Sequence, residues 1–171
     1  FSLICAGTHA GVSVGADGVS QMGLEDISLF RSLSNSNILY PSDPISAEKL
    51  TYAATNLKGI TYLRLNRPKT PLIYTNKETF PVGDFKTLKQ SSKDKLVLIG
   101  AGITTHESLA AHEKLKKQNT HTAVIDLYSI KPLNSEKLIK FIKLHGNKVL
   151  VTEDHYKAGG IGELLASAFA E

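Results

Sequence analysis

Cysteine is almost absent: the chain of 171 residues has one, Cys5. An internal disulfide is thereby excluded. A lone thiol inside the apolar run FSLICA reads as a buried group in a reducing compartment. Long apolar runs are missing too. No stretch approaches the roughly 20 residues needed to cross a bilayer as a helix, so no membrane partner is expected. Charge of one sign does not dominate either. The net charge is +4, and the lysines are spread, as KLKK at 114–117 and KLIKFIK at 137–143. Spread lysines describe a solvated face, so no nucleic-acid partner is expected. A mildly positive balance does suit phosphorylated small molecules.

With 42% hydrophobic and 21% charged residues, the composition is that of a globular protein with a core. The chain starts at Phe1 inside a strand-like run that does not resemble a secretory leader. It closes on the helix-like LLASAFAE. A piece of a larger protein is the expectation.

The pattern along the chain alternates. FSLICA reads as a short buried strand, followed by the glycine-rich loop GTHAGVSVGADGVSQM at 7–22, in which nothing reads as helix or strand. GLEDISLFRSL reads as a helix with acids near its start, NILYPSD as a strand ending in a turn. Ser42 and Asp43 before Pro44 open a second helix, ISAEKLTYAATN, and GITYLRL is the next strand. Residues 67–92 hold three of the six prolines and little periodicity, and read as a linker or extended crossing segment. Alternation then resumes: KLVLIG, a helix over TTHESLAAHEKLKK, a strand HTAVIDLYS, a helix SEKLIKFIKLH opened by Ser135, a strand KVLVTED, and a last helix IGELLASAFAE. Such alternation predicts an α/β fold with mostly parallel sheet.

Candidate chemistry gathers at predicted strand ends, where open α/β sheets bind ligands. In the first loop, His9 offers a donor to an anion or hydroxyl, Asp17 an acceptor for a hydroxyl, and Gln21 both. A surface Ω-loop bonding its own backbone is the competing reading. Arg67, between a strand end and Pro68, suits a phosphate or carboxylate, or a structural ion pair. Arg64, inside the strand, reads as the partner of a core acid. Gly100 and Gly102 give half of a dinucleotide fingerprint, and Thr105 stands where its third glycine would be; a tight β-to-α turn fits better. Glu153, Asp154 and His155 form an acid–histidine cluster. Adjacent residues rarely converge on one ion, so a loop packed on a neighbouring domain or subunit fits better than a metal site. His106, His112, His121 and His145 read as surface groups.

The segments GTHAGVSVGADGVSQMGLED, LYPSD, YLRLNRP, VLIGAGITTHESL, SIKPL and VTEDHYKAGGIGE resemble, in order and spacing, the back half of an animal-type transketolase. The resemblance covers essentially the whole chain. It implies the end of a thiamine-pyrimidine-binding domain over residues 1–75, a linker over 76–91, and a Rossmann-like C-terminal domain over 92–171. It implies a cytoplasmic enzyme that moves a two-carbon ketol unit from a ketose phosphate to an aldose phosphate in the pentose phosphate pathway.

By the same resemblance, His9, Asp17 and Arg67 bind the sugar phosphate: His9 toward the phosphate end, Asp17 at a hydroxyl beside the reacting carbonyl, Arg67 on the phosphate. Gln21 lies beside the cofactor, thiamine diphosphate with Mg²⁺, most of whose site lies outside these residues. The family's catalytic glutamate lies upstream of Phe1, so no catalytic residue is assigned here and the piece alone is not expected to turn over. A homodimer is implied. Two positions depart from the family pattern: Ala16 stands where an acid is usual, which changes the local potential, and Val19 where proline is usual, which loosens the turn. Two other functions fit the chain less well: an assembly module without a ligand, and another thiamine-dependent enzyme of the 2-oxo-acid dehydrogenase β-subunit type.

Overall fold

The computed structural model describes residues 2–170. The chain is α/β, as the alternation predicts, with two sheets of four strands. The first block gives β1 (Ser2–Gly7), α1 (Asp26–Ser32), β2 (Ser36–Leu39), α2 (Pro44–Ala54) and β3 (Gly59–Arg64). The second gives β4 (Lys86–Lys89), β5 (Val97–Gly100), α3 (Ile103–Lys117), β6 (Ala123–Asp126), β7 (Ser129–Lys131), α4 (Ser135–Leu144), β8 (Val149–Val151) and α5 (Ile161–Ala170). One sheet runs β1-β3-β2-β7 and the other β4-β6-β5-β8. In each, three strands are parallel, and one, β7 or β4, is antiparallel to its neighbour.

Local chemistry explains most element starts. Asp43 accepts from the Ser46 amide while Ser46 closes back on Asp43, a capping box with Pro44 in the first turn of α2. The same carboxylate also accepts from the amides of Ile73 and Tyr74, which ties the crossing segment to α2. Burial opposes the charge on Asp43, but these amides and the Ser46 hydroxyl outweigh it and hold the carboxyl below its usual range. At α4 the cap is Asn134, whose side chain accepts from the Lys137 amide, one residue before the Ser135 expected from the sequence. Gly102, at φ +58°, turns β5 into α3 so tightly that a Cβ there would sit 2.0 Å from the Tyr40 ring.

The structure corrects several expectations. β1 is not a buried strand. It is an edge strand, and Leu3 and Ile4 are 46% and 40% exposed. Cys5 is half-buried rather than enclosed. The glycine-rich loop holds 3₁₀ turns at Val12–Asp17 and Val19–Gln21. The end of the segment 67–92 forms β4. The run HTAVIDLYS splits: β6 stays in one sheet, the chain crosses at Leu127–Tyr128, and β7 joins the other beside β2.

That crossing gives the two blocks a shared interior beside a second, smaller cluster of Leu39, Leu50, Leu63, Tyr74, Phe80 and Tyr128. A single apolar cluster joins Ile27, Ile38, Tyr40 and Tyr62 of the first block to Ile99, Ile125, Ile130 and Leu138 of the second.

Candidate functional site

The loop after β1 returns to the end of β3 through Ala10 N–H to the Leu65 carbonyl, and Gly11 N–H to the Met22 carbonyl closes the loop on itself. These bring it over the end of β3, where Arg67 follows. Asp17 and Arg67 meet: Nη1 is 2.7 Å from the Asp17 carboxylate, and both side chains are 45% exposed. Nη1 also donates to the Val14 carbonyl at 3.1 Å. Among the described residues, the Nε–Nη2 edge of the same guanidinium has no protein partner. His9 sits in the left-handed region, at φ +62°, with Nδ1 3.1 Å from the Thr8 hydroxyl. Among the described residues it bonds to neither Asp17 nor Arg67. Gln21 is exposed at the end of the second 3₁₀ turn. Ser13 Oγ is enclosed within this loop and has no partner among the described residues. Beyond Arg67, Pro41, Asp43, Asn66, Lys69 and Thr70 help to line a cleft of about 500 Å³ between α2 and the crossing segment.

Beneath the loop lies a buried ionic cluster. Arg64 is wholly buried. Its Nε lies 2.7 Å from Asp26 and its Nη1 2.7 Å from Asp154, so it bridges the two blocks. The Tyr62 hydroxyl donates to Asp26, and the Tyr40 ring lies under the guanidinium, 4.6 Å from its centroid. Burial holds the Asp154 carboxyl above its usual range, even against the pull of Arg64. Burial likewise raises the hydroxyls of Tyr40 and Tyr62, so both stay neutral donors. The expectation of a core acid for Arg64 holds, with two acids.

The acid–histidine cluster does not converge. Glu153 caps α5 by accepting from the amides of Ile161 and Gly162. Asp154 turns to Arg64. His155 Nε2 accepts from the Ser28 amide at 3.4 Å, and Arg31 donates to the Gly160 carbonyl at 2.9 Å. The segment 153–160 is therefore a seam between blocks. Three histidines expected at the surface have partners: His106 with the Ser42 carbonyl, His112 with Thr122, His145 with Asp94 at 2.9 Å. Burial opposes the charge on Asp94, yet bonds from Ser91 and His145 hold it below the usual range.

The structure brings together an exposed carboxylate and a half-engaged guanidinium past the carboxyl end of β3, groups of the kind that orient a small, hydroxyl-bearing anion. Residues 1–72 match the family described as transketolase, pyrimidine binding domain, and residues 85–171 the one described as transketolase, C-terminal domain. The chain belongs to the transketolase family. Among its relatives, transketolase-like protein 1 of Bos taurus is 48% identical over 95% of this chain and 27% of its own length. Human transketolase is 46% identical over 95% of this chain and 26% of its own. The chain thus spans about a quarter of these transketolases. A split-gene transketolase, solved as an inactive β4 tetramer, superposes with a TM-score of 0.86 at 29% identity, covering 98% of this chain and 53% of that one. A transketolase from Campylobacter jejuni superposes with a TM-score of 0.68 at 18% identity, over 98% of this chain and 31% of its own; at that identity the likeness shows the fold alone.

Sequence reasoning missed Asp154 and Asp26 as partners. The signal was present: an arginine within the apolar strand ITYLRL must be neutralised where it is buried.

Proposed function

We propose that this chain is the sugar-phosphate-orienting part of a transketolase, which transfers a two-carbon ketol unit from a ketose phosphate to an aldose phosphate in the pentose phosphate pathway. The observation that carries this reading is the state of Arg67. One nitrogen is held by Asp17 and Val14, and the Nε–Nη2 edge is left open to a two-pronged phosphate contact. The Asp17–Arg67 pair is exposed, so it is worth only about 0.2–1 kcal/mol and yields readily to a ligand. An arriving sugar phosphate would part the pair, its phosphate on Arg67 and a hydroxyl on Asp17, with His9 toward the phosphate end. Such positioning lowers a barrier by fixing the reacting carbonyl before bonds change.

Thiamine diphosphate would supply the carbanion chemistry. Gln21 is the residue assigned to its neighbourhood. The Mg²⁺ that accompanies it, like most of the cofactor's site, is assigned to residues outside this chain. The work assigned to this chain is therefore binding and orientation. Residues 1–75 are read as the end of the pyrimidine-binding domain, 76–91 as the link and 92–171 as the C-terminal domain of a cytoplasmic homodimer.

The test is Arg67→Ala in the full-length enzyme. KM for phosphorylated sugars should rise by about tenfold or more, and KM for unphosphorylated analogues by less than about twofold, because the guanidinium meets only the phosphate. Equal effects on both would remove Arg67 from the phosphate.

A further inference from the structure

We propose that Asp154 is a positioning residue for the loop 8–22: the second block reaches across the seam and seats that loop on one buried carboxylate. The functional meaning of the seat rests on the sugar-phosphate reading of the loop; its geometry does not.

Asp154 is 4% exposed and faces both halves of the candidate site. On one side lies the loop. Gly11, at φ +81°, puts its backbone directly against the carboxylate, where a Cβ would come within 1.7 Å of Oδ2. His9 lies two residues before this contact and Asp17 six residues after it. On the other side lies the strand end that carries Arg67. Arg64 donates from Nη1 to Oδ1 at 2.7 Å and from Nη2 to the Asp154 carbonyl at 3.0 Å. The Tyr40 hydroxyl lies within hydrogen-bond distance of both the Asp154 carboxylate and Asn66, the residue before Arg67.

The following residues keep the carboxylate in place. Nε2 of His155 accepts from the Ser28 amide, and Gly159 is pressed against Ser28, where a Cβ would lie 2.2 Å from its Cβ. One side chain therefore sets the spacing between the loop and Arg67. A substrate grip of this kind needs its supports locked by packing and hydrogen bonds, and a buried network with this many constraints supplies them.

Asp154→Asn in the full-length protein tests this. Amide hydrogen exchange in residues 8–22 should accelerate at least tenfold more than in β5 and β6, whose own acceleration reads the global stability lost with the Arg64–Asp154 pair. In the same variant, KM for a ketose phosphate should rise several-fold, with kcat changed less than twofold. Asp154→Glu keeps the charge but pushes a methylene group onto Gly11, so it should not restore the native KM. Gly11→Ala approaches the seat from the loop side and should reproduce the local acceleration; it decides the matter if the Asp154 variants do not fold. Acceleration of the loop no greater than that of β5 and β6, or an unchanged loop, would overturn the proposal. A loosened loop with an unchanged KM would leave the seat standing and sink the sugar-phosphate reading instead.

Discussion

Asp126 ends β6 wholly buried, and its partners are hydroxyls: Tyr74 at 2.6 Å, Ser42 at 2.7 Å and Thr105 at 3.1 Å. Burial pushes its carboxyl up to about 6, and the three donors pull back only part of that. In the unfolded chain an aspartate titrates near ~3.9. Below pH ~4 both states hold the proton and the group costs nothing. Between pH ~4 and ~6 the unfolded chain releases it while the folded chain keeps it, so stability falls as pH rises, by about 3 kcal/mol in all. Asp43 and Asp94, held low, act in the opposite sense and lose their contribution in acid. Asp126→Asn isolates the one group, because the other terms cancel between variant and native protein. Its stability relative to the native chain should improve by about 2–3 kcal/mol from pH 4 to pH 7.5. Urea denaturation followed by circular dichroism at the two pH values measures it, and a constant difference would show that folding does not raise the Asp126 carboxyl.

Elements differ in how much of them the sequence displays. α2 was legible because its cap is local: an acid, a proline and a serine within four positions. β4 and β7 were not. Each is short and antiparallel, and each is defined by a partner that arrives from far along the chain. β1 misled because an apolar run looks the same at a sheet's edge as at its centre. In the site, residue types and their strand-end placement could be read, but the seat of the loop could not. Asp154 lies 143 positions after Gly11 and 90 after Arg64, and no periodicity links them.

The cap of α2 also illustrates how a local signal acquires a tertiary role. Asp43→Ala removes a cap worth about 1 kcal/mol and strands the amides of Ile73 and Tyr74, at about 1 kcal/mol or more each. A loss of about 3 kcal/mol is expected. Asn134→Ala, an exposed cap on α4 with one accepted bond, should cost about 1 kcal/mol. Equal losses in urea titrations would mean that the tie to the crossing segment carries no energy.

At the scale of the whole molecule, the two family domains share the larger of two apolar clusters. β7 belongs by sequence to the second block and by pairing to the first sheet. Tyr40 and Tyr62 share an apolar cluster with Ile99 and Ile125, and each fully buried side chain of this kind stabilises by about 1.5–3 kcal/mol. The Arg64 bridge adds a reason for joint behaviour. If the second block opened alone, it would remove Asp154 and leave a buried guanidinium with Asp26 only, a state costing several kcal/mol. Partial unfolding at the seam is therefore disfavoured from both sides, and one cooperative transition is expected. Hydrogen exchange at increasing urea reads it directly: amides of Ile38 and Leu39 in the first sheet and of Ile99 and Ile125 in the second should lose protection at the same midpoint, with those of β7 among them. Two midpoints, with β7 following the second sheet, would show that the shared core and the ionic bridge do not couple the blocks.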